Sequence, residues 1–339
     1  MLDDLHVRLE RTRWTNEADD SWTLGTSLAE LLSLVDYWKS HFDWRREEDA
    51  MNRFAHFRAN VNGFGVHFIH ERGTGNHSLP IILTHGYPDS FLRFAKIIPM
   101  LAHPDAYGGD PSDAFDVVVP LGYTRYAAHG GDWGGLVTEQ LARSHAQSVV
   151  GIHLTDVPFW HMFRKPKDVT HAEQRFLDNI ATWQTSGGAY ALIQGTRPYT
   201  LASALNDSPA GLASWIVDKF HAWSDCHGDV ETKFTKDELL ANITLYWLTN
   251  TAASSGRLYW ENKGKNALSS AAWKTNEITL PVATTVFGED AYRPPESWAR
   301  RAFPKLIYYN KVSKGGHFAA WEQPELFASE LRAAFRSLR

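Results

Sequence analysis

Gly130-Gly131-Asp132-Trp133-Gly134 decides how this chain is read. It follows the short apolar run Tyr126 to Ala128 and precedes a helical pattern from Leu136 to Ala146. Small residues two before and two after a central side chain permit a sharp strand-to-helix turn. Such a turn lifts the side chain above the sheet, beside a helix N-terminus whose partial positive charge favours an ionised carboxylate. Where similar turns carry serine, this one carries Asp132, a candidate nucleophile. An Asp N-cap on a glycine-rich turn is the plainer reading of the same residues.

Outward from that turn, short apolar runs alternate with helical patterns. Gly65 to His70, Leu79 to Thr84, Val117 to Val119, Val150 to Leu154, Val282 to Phe287 and Leu306 to Tyr309 read as strands, with a turn at Gly73 and Gly75. Pro324 to Leu338 reads as a closing helix. This alternation predicts an α/β fold, a mostly parallel sheet with helices on both faces. The first fifty residues are helical and amphipathic, with a capping box at Ser27 and Glu30 and an apolar face of Leu28, Leu31, Leu32, Val35 and Trp38. Between about Pro158 and Thr275 the chain turns helical and polar: Ser208-Pro209 opens Ala210 to Trp223, and Thr235 with Glu238 opens Leu239 to Leu248. The expected division is an N-terminal helical arm over 1–55, a core over 56–157 and 276–339, and a helical cap inserted over 158–275.

Three further motifs lie at strand ends, where open α/β sheets build their sites. His85-Gly86-Tyr87-Pro88 follows Leu79 to Thr84 and can present the N–H of Tyr87 beside that of Trp133 as an oxyanion hole. Gly315-Gly316-His317-Phe318 follows the last strand and can bring a histidine to the nucleophile. Asp290, just past Val282 to Phe287, can hold and polarise that imidazole, with Glu289 and Asp156 as rivals. The order is nucleophile, acid, histidine.

Composition narrows the class. The 339 residues are 43% hydrophobic and 22% charged, with a net charge of −5, so no nucleic-acid footprint is expected. No apolar run reaches the length of about 18 residues that a membrane span needs. Met1-Leu2-Asp3-Asp4 has neither a basic leader nor an apolar stretch, so no export signal and a cytoplasmic location are expected. The single cysteine, Cys226, leaves no internal disulfide and no cysteine metal cluster. The 14 Trp and 12 Tyr suit an apolar pocket with a few polar tips.

Taken together, these residues resemble the epoxide hydrolases of the microsomal type. The arm stretches Leu2-Asp3-Asp4-Leu5, Arg11-Thr12-Arg13-Trp14 and Asp36-Tyr37-Trp38 fit that pattern, as do the two glycine-histidine motifs and the Asp132 turn. Ala204-Leu205-Asn206-Asp207-Ser208-Pro209 and Leu245-Tyr246-Trp247 fit it in the insertion. The resemblance implies an α/β-hydrolase fold and hydrolysis of an epoxide to a vicinal diol without metal or organic cofactor. It also implies two acid tyrosines in the cap, which by context fall on Tyr190 and Tyr259, with Tyr246 and Tyr292 nearby. His85, Pro88 and Trp133 are expected beside the substrate. The expected partners are a small apolar epoxide and water; a homodimer is left open.

One stretch departs from the family. Val119-Pro120-Leu121-Gly122-Tyr123-Thr124-Arg125 replaces a long loop and helix by about four connecting residues. Parallel strands ordinarily need a crossover of roughly a dozen residues. Returning along a five-residue strand means covering about 17 Å, whereas four residues reach about 14 Å at most. The expectation is that the two strands cannot both keep their family places, that part of one sheet face is uncovered, and that the fold is weakened or the face covered by a partner. The alternatives are a haloalkane dehalogenase with the same Asp nucleophile, and a non-catalytic relative inactivated by the lost crossover.

Overall fold

A computed structural model describes residues 1–15, 21–74, 78–117, 123–158, 161, 166–262 and 277–339. Gly75 of the expected turn and Val119 to Gly122 of the short connection lie outside the described residues. The chain divides into two compact units, Met1–Asp49 with Thr182–Lys274, and Ala50–Ala181 with Thr275–Arg339.

The first unit is helical. In its helix Lys236–Thr249 the Thr235 hydroxyl accepts from the Glu238 N–H at 3.2 Å, while the Glu238 carboxylate accepts from the Thr235 N–H at 2.9 Å. Both orphan donors of the first turn are thereby satisfied. Ser27 caps Leu28–Ser40 in the same direction, accepting from the Glu30 N–H at 3.3 Å, and that helix buries Leu34, Val35 and Trp38. Ser208 caps Pro209–Trp223, with Pro209 in the first turn where its missing N–H costs nothing. Helices Ala189–Thr196, Pro198–Asp207 and Ala252–Glu261 pack on one another.

The second unit carries eight strands among its described residues: β1 (His56–Val61), β2 (Phe64–Ile69), β3 (Leu79–Thr84), β4 (Phe115–Val117), β5 (Tyr126–Gly130), β6 (Val149–Leu154), β7 (Val282–Val286) and β8 (Leu306–Lys311). The first two form an antiparallel hairpin closed at Asn62 and Gly63, whose φ values of 51° and 88° suit a tight turn. The other six form one parallel sheet in the order β4-β3-β5-β6-β7-β8. Alternation along these strands feeds two apolar clusters. One gathers Ile81, Ile97, Leu101, Phe115, Val117, Phe287 and Leu331; the other gathers Ile82, Ala128, Ile152, Val282, Trp298 and Phe303. A buried polar chain crosses the inner strands. His129 Nδ1 and His153 Nδ1 are 2.9 Å apart, His153 Nε2 is 3.0 Å from Thr285 Oγ1, and Thr285 donates to Glu330 at 2.9 Å. Burial lowers the pKa of both histidines, that of His153 to about 3.

The expected conflict between β4 and β5 falls on a connection, 118–122, that lies outside the described residues. Both strands run parallel to β3 on its two sides, Val117 and Ala127 sharing the Ile81 rung. The described part of β4, Phe115–Val117, reaches the rung at which β5 begins. Along the described part of this edge the apolar side chains are covered. Phe115 and Val117 point into the first cluster, and alternation turns Asp116 to the other face. There Asp116 accepts from the Gly73 N–H at 2.8 Å and the Tyr123 hydroxyl at 2.9 Å. The outer edge of β4 is taken by Glu71, whose N–H and carbonyl both bond Val117.

Candidate active site

The turn after β5 has the shape its glycines predict. Asp132 adopts φ 55° and ψ −130°, between Gly131 and the first residue of helix Trp133–Ser144. A side chain at Gly134 would stand 1.9 Å from the Thr84 carbonyl oxygen, so only glycine lets the helix start this close to β3. Asp132 occupies the N-cap position, yet its side chain makes no capping hydrogen bond, and the plainer N-cap reading is set aside. Its carboxylate instead accepts from the Tyr87 N–H at 2.9 Å and from the Trp133 N–H.

On the other side stands the histidine. His317 Nε2 is 3.8 Å from Asp132 Oδ2, and His317 Nδ1 is 3.5 Å from Asp290 Oδ1. Asp290 and His317 are buried or nearly so, and Asp132 keeps 17% of its side chain accessible, enough to meet a ligand. Burial raises the Asp132 pKa, against the pull of His317 and the two N–H donors. The helix N-terminus expected to favour ionisation is therefore outweighed by desolvation. Burial also opposes protonation of His317, but Asp290 prevails and raises its pKa above the ordinary value.

Among the expected substrate contacts, Pro88 is buried, Trp133 is partly exposed and His85 is exposed. The His85 ring turns back to its own loop, Nδ1 lying 2.9 Å from the Gly86 carbonyl and 3.5 Å from Asp89. Tyr190 and Tyr259 belong to the first unit, where their rings meet edge to face with centroids 5.6 Å apart. The Lys219 ammonium lies 5.2 Å from the Tyr190 ring centre. Tyr292 is in the second unit, its N–H bonded to Asp290, and burial and the nearby carboxylates raise its hydroxyl pKa.

Two supports were not read from the sequence. Asp89 and Arg93 form a buried ion pair beneath the Tyr87 loop, and Asp89 accepts from the Gly86 N–H at 3.1 Å. Burial alone would raise the Asp89 pKa; Arg93 and His85 hold it below the ordinary value. Glu322 anchors the histidine loop, accepting from the N–H groups of Gly316 at 3.0 Å and Phe318 at 2.9 Å. The available signal was two lone opposite charges, Asp89 and Arg93, one helical turn apart in the apolar run Phe91-Leu92-Arg93-Phe94. Among the described residues no group of three or more His, Cys, Asp or Glu is placed to hold a metal ion. No helix among them is long and apolar enough to cross a membrane.

The family model for the epoxide hydrolase N terminus matches residues 1–94. A putative epoxide hydrolase of Stigmatella aurantiaca is 43% identical over 371 positions, covering 100% of this chain and 83% of the relative. Those positions outnumber the 339 residues here, so the relative carries segments with no counterpart. Epoxide hydrolase 1 of Sus scrofa is 32% identical, over 98% of this chain and 85% of its own. Among solved structures, juvenile hormone epoxide hydrolase of Bombyx mori superposes with a TM-score of 0.87 at 23% identity, covering 100% of this chain and 92% of that one. The epoxide hydrolase of Aspergillus niger gives 0.83 at 24%, covering 100% and 94%. The fold is that of the α/β-hydrolases, and the dehalogenase and non-catalytic alternatives give way to an enzyme: this chain belongs to the epoxide hydrolases of the microsomal type.

Proposed function

We propose that this enzyme opens its epoxide through a covalent ester on Asp132. The observation that carries the reading is the Asp132 carboxylate, with one oxygen held by the Tyr87 N–H and the other facing His317 Nε2. An epoxide carbon is tetrahedral and is attacked by displacement, which a carboxylate can perform. Asp132 Oδ2 forms the new C–O bond, the ring C–O bond breaks, and its electron pair stays on the departing oxygen. That oxygen takes a proton from Tyr190 or Tyr259. Their assignment is supported by the family resemblance and by their pairing in the first unit.

Water then attacks the carbonyl carbon of the ester, and His317 takes its proton while Asp290 steadies the imidazolium. The oxyanion forms on the Asp132 oxygen already bound by the Tyr87 N–H, with the Trp133 N–H also bonded to this carboxylate, so its stabilisation needs little rearrangement. Collapse breaks the ester bond to the alkyl oxygen, which takes the proton held by His317; the remaining water proton leaves the regenerated Asp132 carboxyl to restore the tyrosine, and the diol leaves. One epoxide and one water are consumed.

Purified protein mixed with aryl and alkyl epoxides tests this. Diol formation is expected to vanish in Asp132→Asn, and His317→Gln is expected to accumulate an adduct whose intact mass rises by that of the epoxide. An active Asp132→Asn variant, or an adduct mapped to another residue, overturns the reading. Tyr190→Phe and Tyr259→Phe are each expected to slow adduct formation without slowing its decay.

A further inference from the structure

Three neighbouring strands each end in an aspartate at the active end of the sheet. Gly130 of β5 pairs with Leu154 of β6, and Leu154 with Thr284 of β7. Asp132 and Asp156 therefore stand the same two residues beyond one rung, with Asp290 beyond β7. The ester mechanism uses Asp132 and Asp290. Asp156 is 8% exposed, and its Oδ1 is buried with no hydrogen-bond partner. That oxygen would lie 3.6 Å from a side-chain carbon at Gly135, in the first turn of the helix after Asp132.

The charged groups facing it are mostly acids. They are Asp290 after β7, Asp132 after β5, Glu139 of helix Trp133–Ser144, and His317 after β8, with the Tyr292 hydroxyl among the same carboxylates. Glu139 is already engaged by Arg143 at 2.9 Å and His161 at 2.8 Å. When several carboxyl groups share one dry site, one of them keeps its proton. Here two have donors or the imidazole beside them, and Asp156 is the one left.

We propose that Asp156 is a positioning residue held as a neutral carboxylic acid, keeping the charge around His317 to the two carboxylates that the hydrolytic step uses. The proposal rests on the ester mechanism above. Burial, reinforced by Asp290, lifts the Asp156 pKa to about 8. Below that pH a third negative charge is absent. Above it, ionised Asp156 faces both His317 and the oxyanion on Asp132. The oxyanion is then repelled by a neighbouring anion, so ester hydrolysis slows while alkylation by Asp132 does not.

The test is the rate of ester decay in single turnover from pH 6 to 9.5, in the wild type and in Asp156→Asn. The wild-type rate is expected to fall above pH 8. The variant lacks that fall, so its ratio of rates at pH 9 and pH 7 exceeds the wild-type ratio by about tenfold, the equivalent of one pKa unit of repulsion on the oxyanion. Coincident profiles overturn the proposal. So does an Asp156→Asn enzyme that stalls at the ester at pH 7, because Asp156 would then act as an anion. If that variant does not fold, infrared spectroscopy of the wild type decides. A protonated-carboxyl band present at pH 7 and lost near pH 8 supports the proposal, and its absence at pH 7 overturns it. Absence of any ester in His317→Gln overturns the mechanism and this role together; failure of this role alone leaves the ester forming.

Discussion

The Arg93 guanidinium donates to the main-chain oxygen of His317 at 2.9 Å, while the same side chain pairs with Asp89 under the Tyr87 loop. One cation thus ties the loop that supplies the Tyr87 N–H to the loop that supplies the base. Its ring neighbour is Phe318, 5.3 Å from the guanidinium carbon to the ring centre. Arg93→Met leaves Asp89 as a buried charge without its main partner. The expected loss is about 3–5 kcal/mol in urea unfolding. The double change Arg93→Met, Asp89→Leu should recover most of that stability and little of kcat, because the His317 loop stays unanchored.

In the proposed mechanism His317 must be neutral when it takes a proton from water. The His317 pKa is raised, so the rate of ester decay should climb with pH through a midpoint above the ordinary histidine value of about 6.5. Asp290→Asn removes the main raising influence. Its midpoint is expected to move to lower pH, and its plateau to drop by about 10²–10⁴-fold for lost general-base power. Stopped-flow decay of a preformed adduct reads both.

Stability should depend on pH through the buried histidines. His129 and His153 have folded pKa values below their unfolded ones, His153 near 3. Such groups bind protons only after unfolding, so the folded state is fully favoured above about 6.5 and loses stability as pH falls from there towards 3. His153→Asn should flatten this slope, read as the melting temperature between pH 7 and pH 4. An equal slope in variant and wild type would locate the acid sensitivity elsewhere.

Gly86 is fixed by Asp132 itself. A side-chain carbon there would stand 2.4 Å from the Asp132 Cβ. Gly86→Ala is expected to fold, with unchanged circular dichroism, and to lose about 10²-fold in kcat through displacement of the carboxylate. Unchanged kcat would show that the loop yields instead.

The sheet and the grouping of Asp132, Asp290 and His317 were legible because each strand carries its own apolar run and each of the three sits on a glycine-marked turn. The β3 range Leu79–Thr84 follows from local sequence alone. The hairpin of β1 and β2 was legible too, in Asn62-Gly63 between alternating residues, and was passed over for glycines further on. Other features were out of reach for a physical reason. Arg93 with His317, Glu330 with Thr285 and the two central histidines meet only through strand order and register, which no local pattern encodes.

The shared Ile81 rung has an engineering consequence. Because the described part of β4 reaches the rung at which β5 begins, the strand ends at Val117 and Tyr126 flank a joint that neither strand need shift to meet. Chain spliced in or out there should leave the path of β5 unaltered, and the turn that carries Asp132 follows β5 directly. A helix, a lid or a purification tag grafted at this joint should leave the chemistry running, which makes the sheet edge the place to lengthen this enzyme.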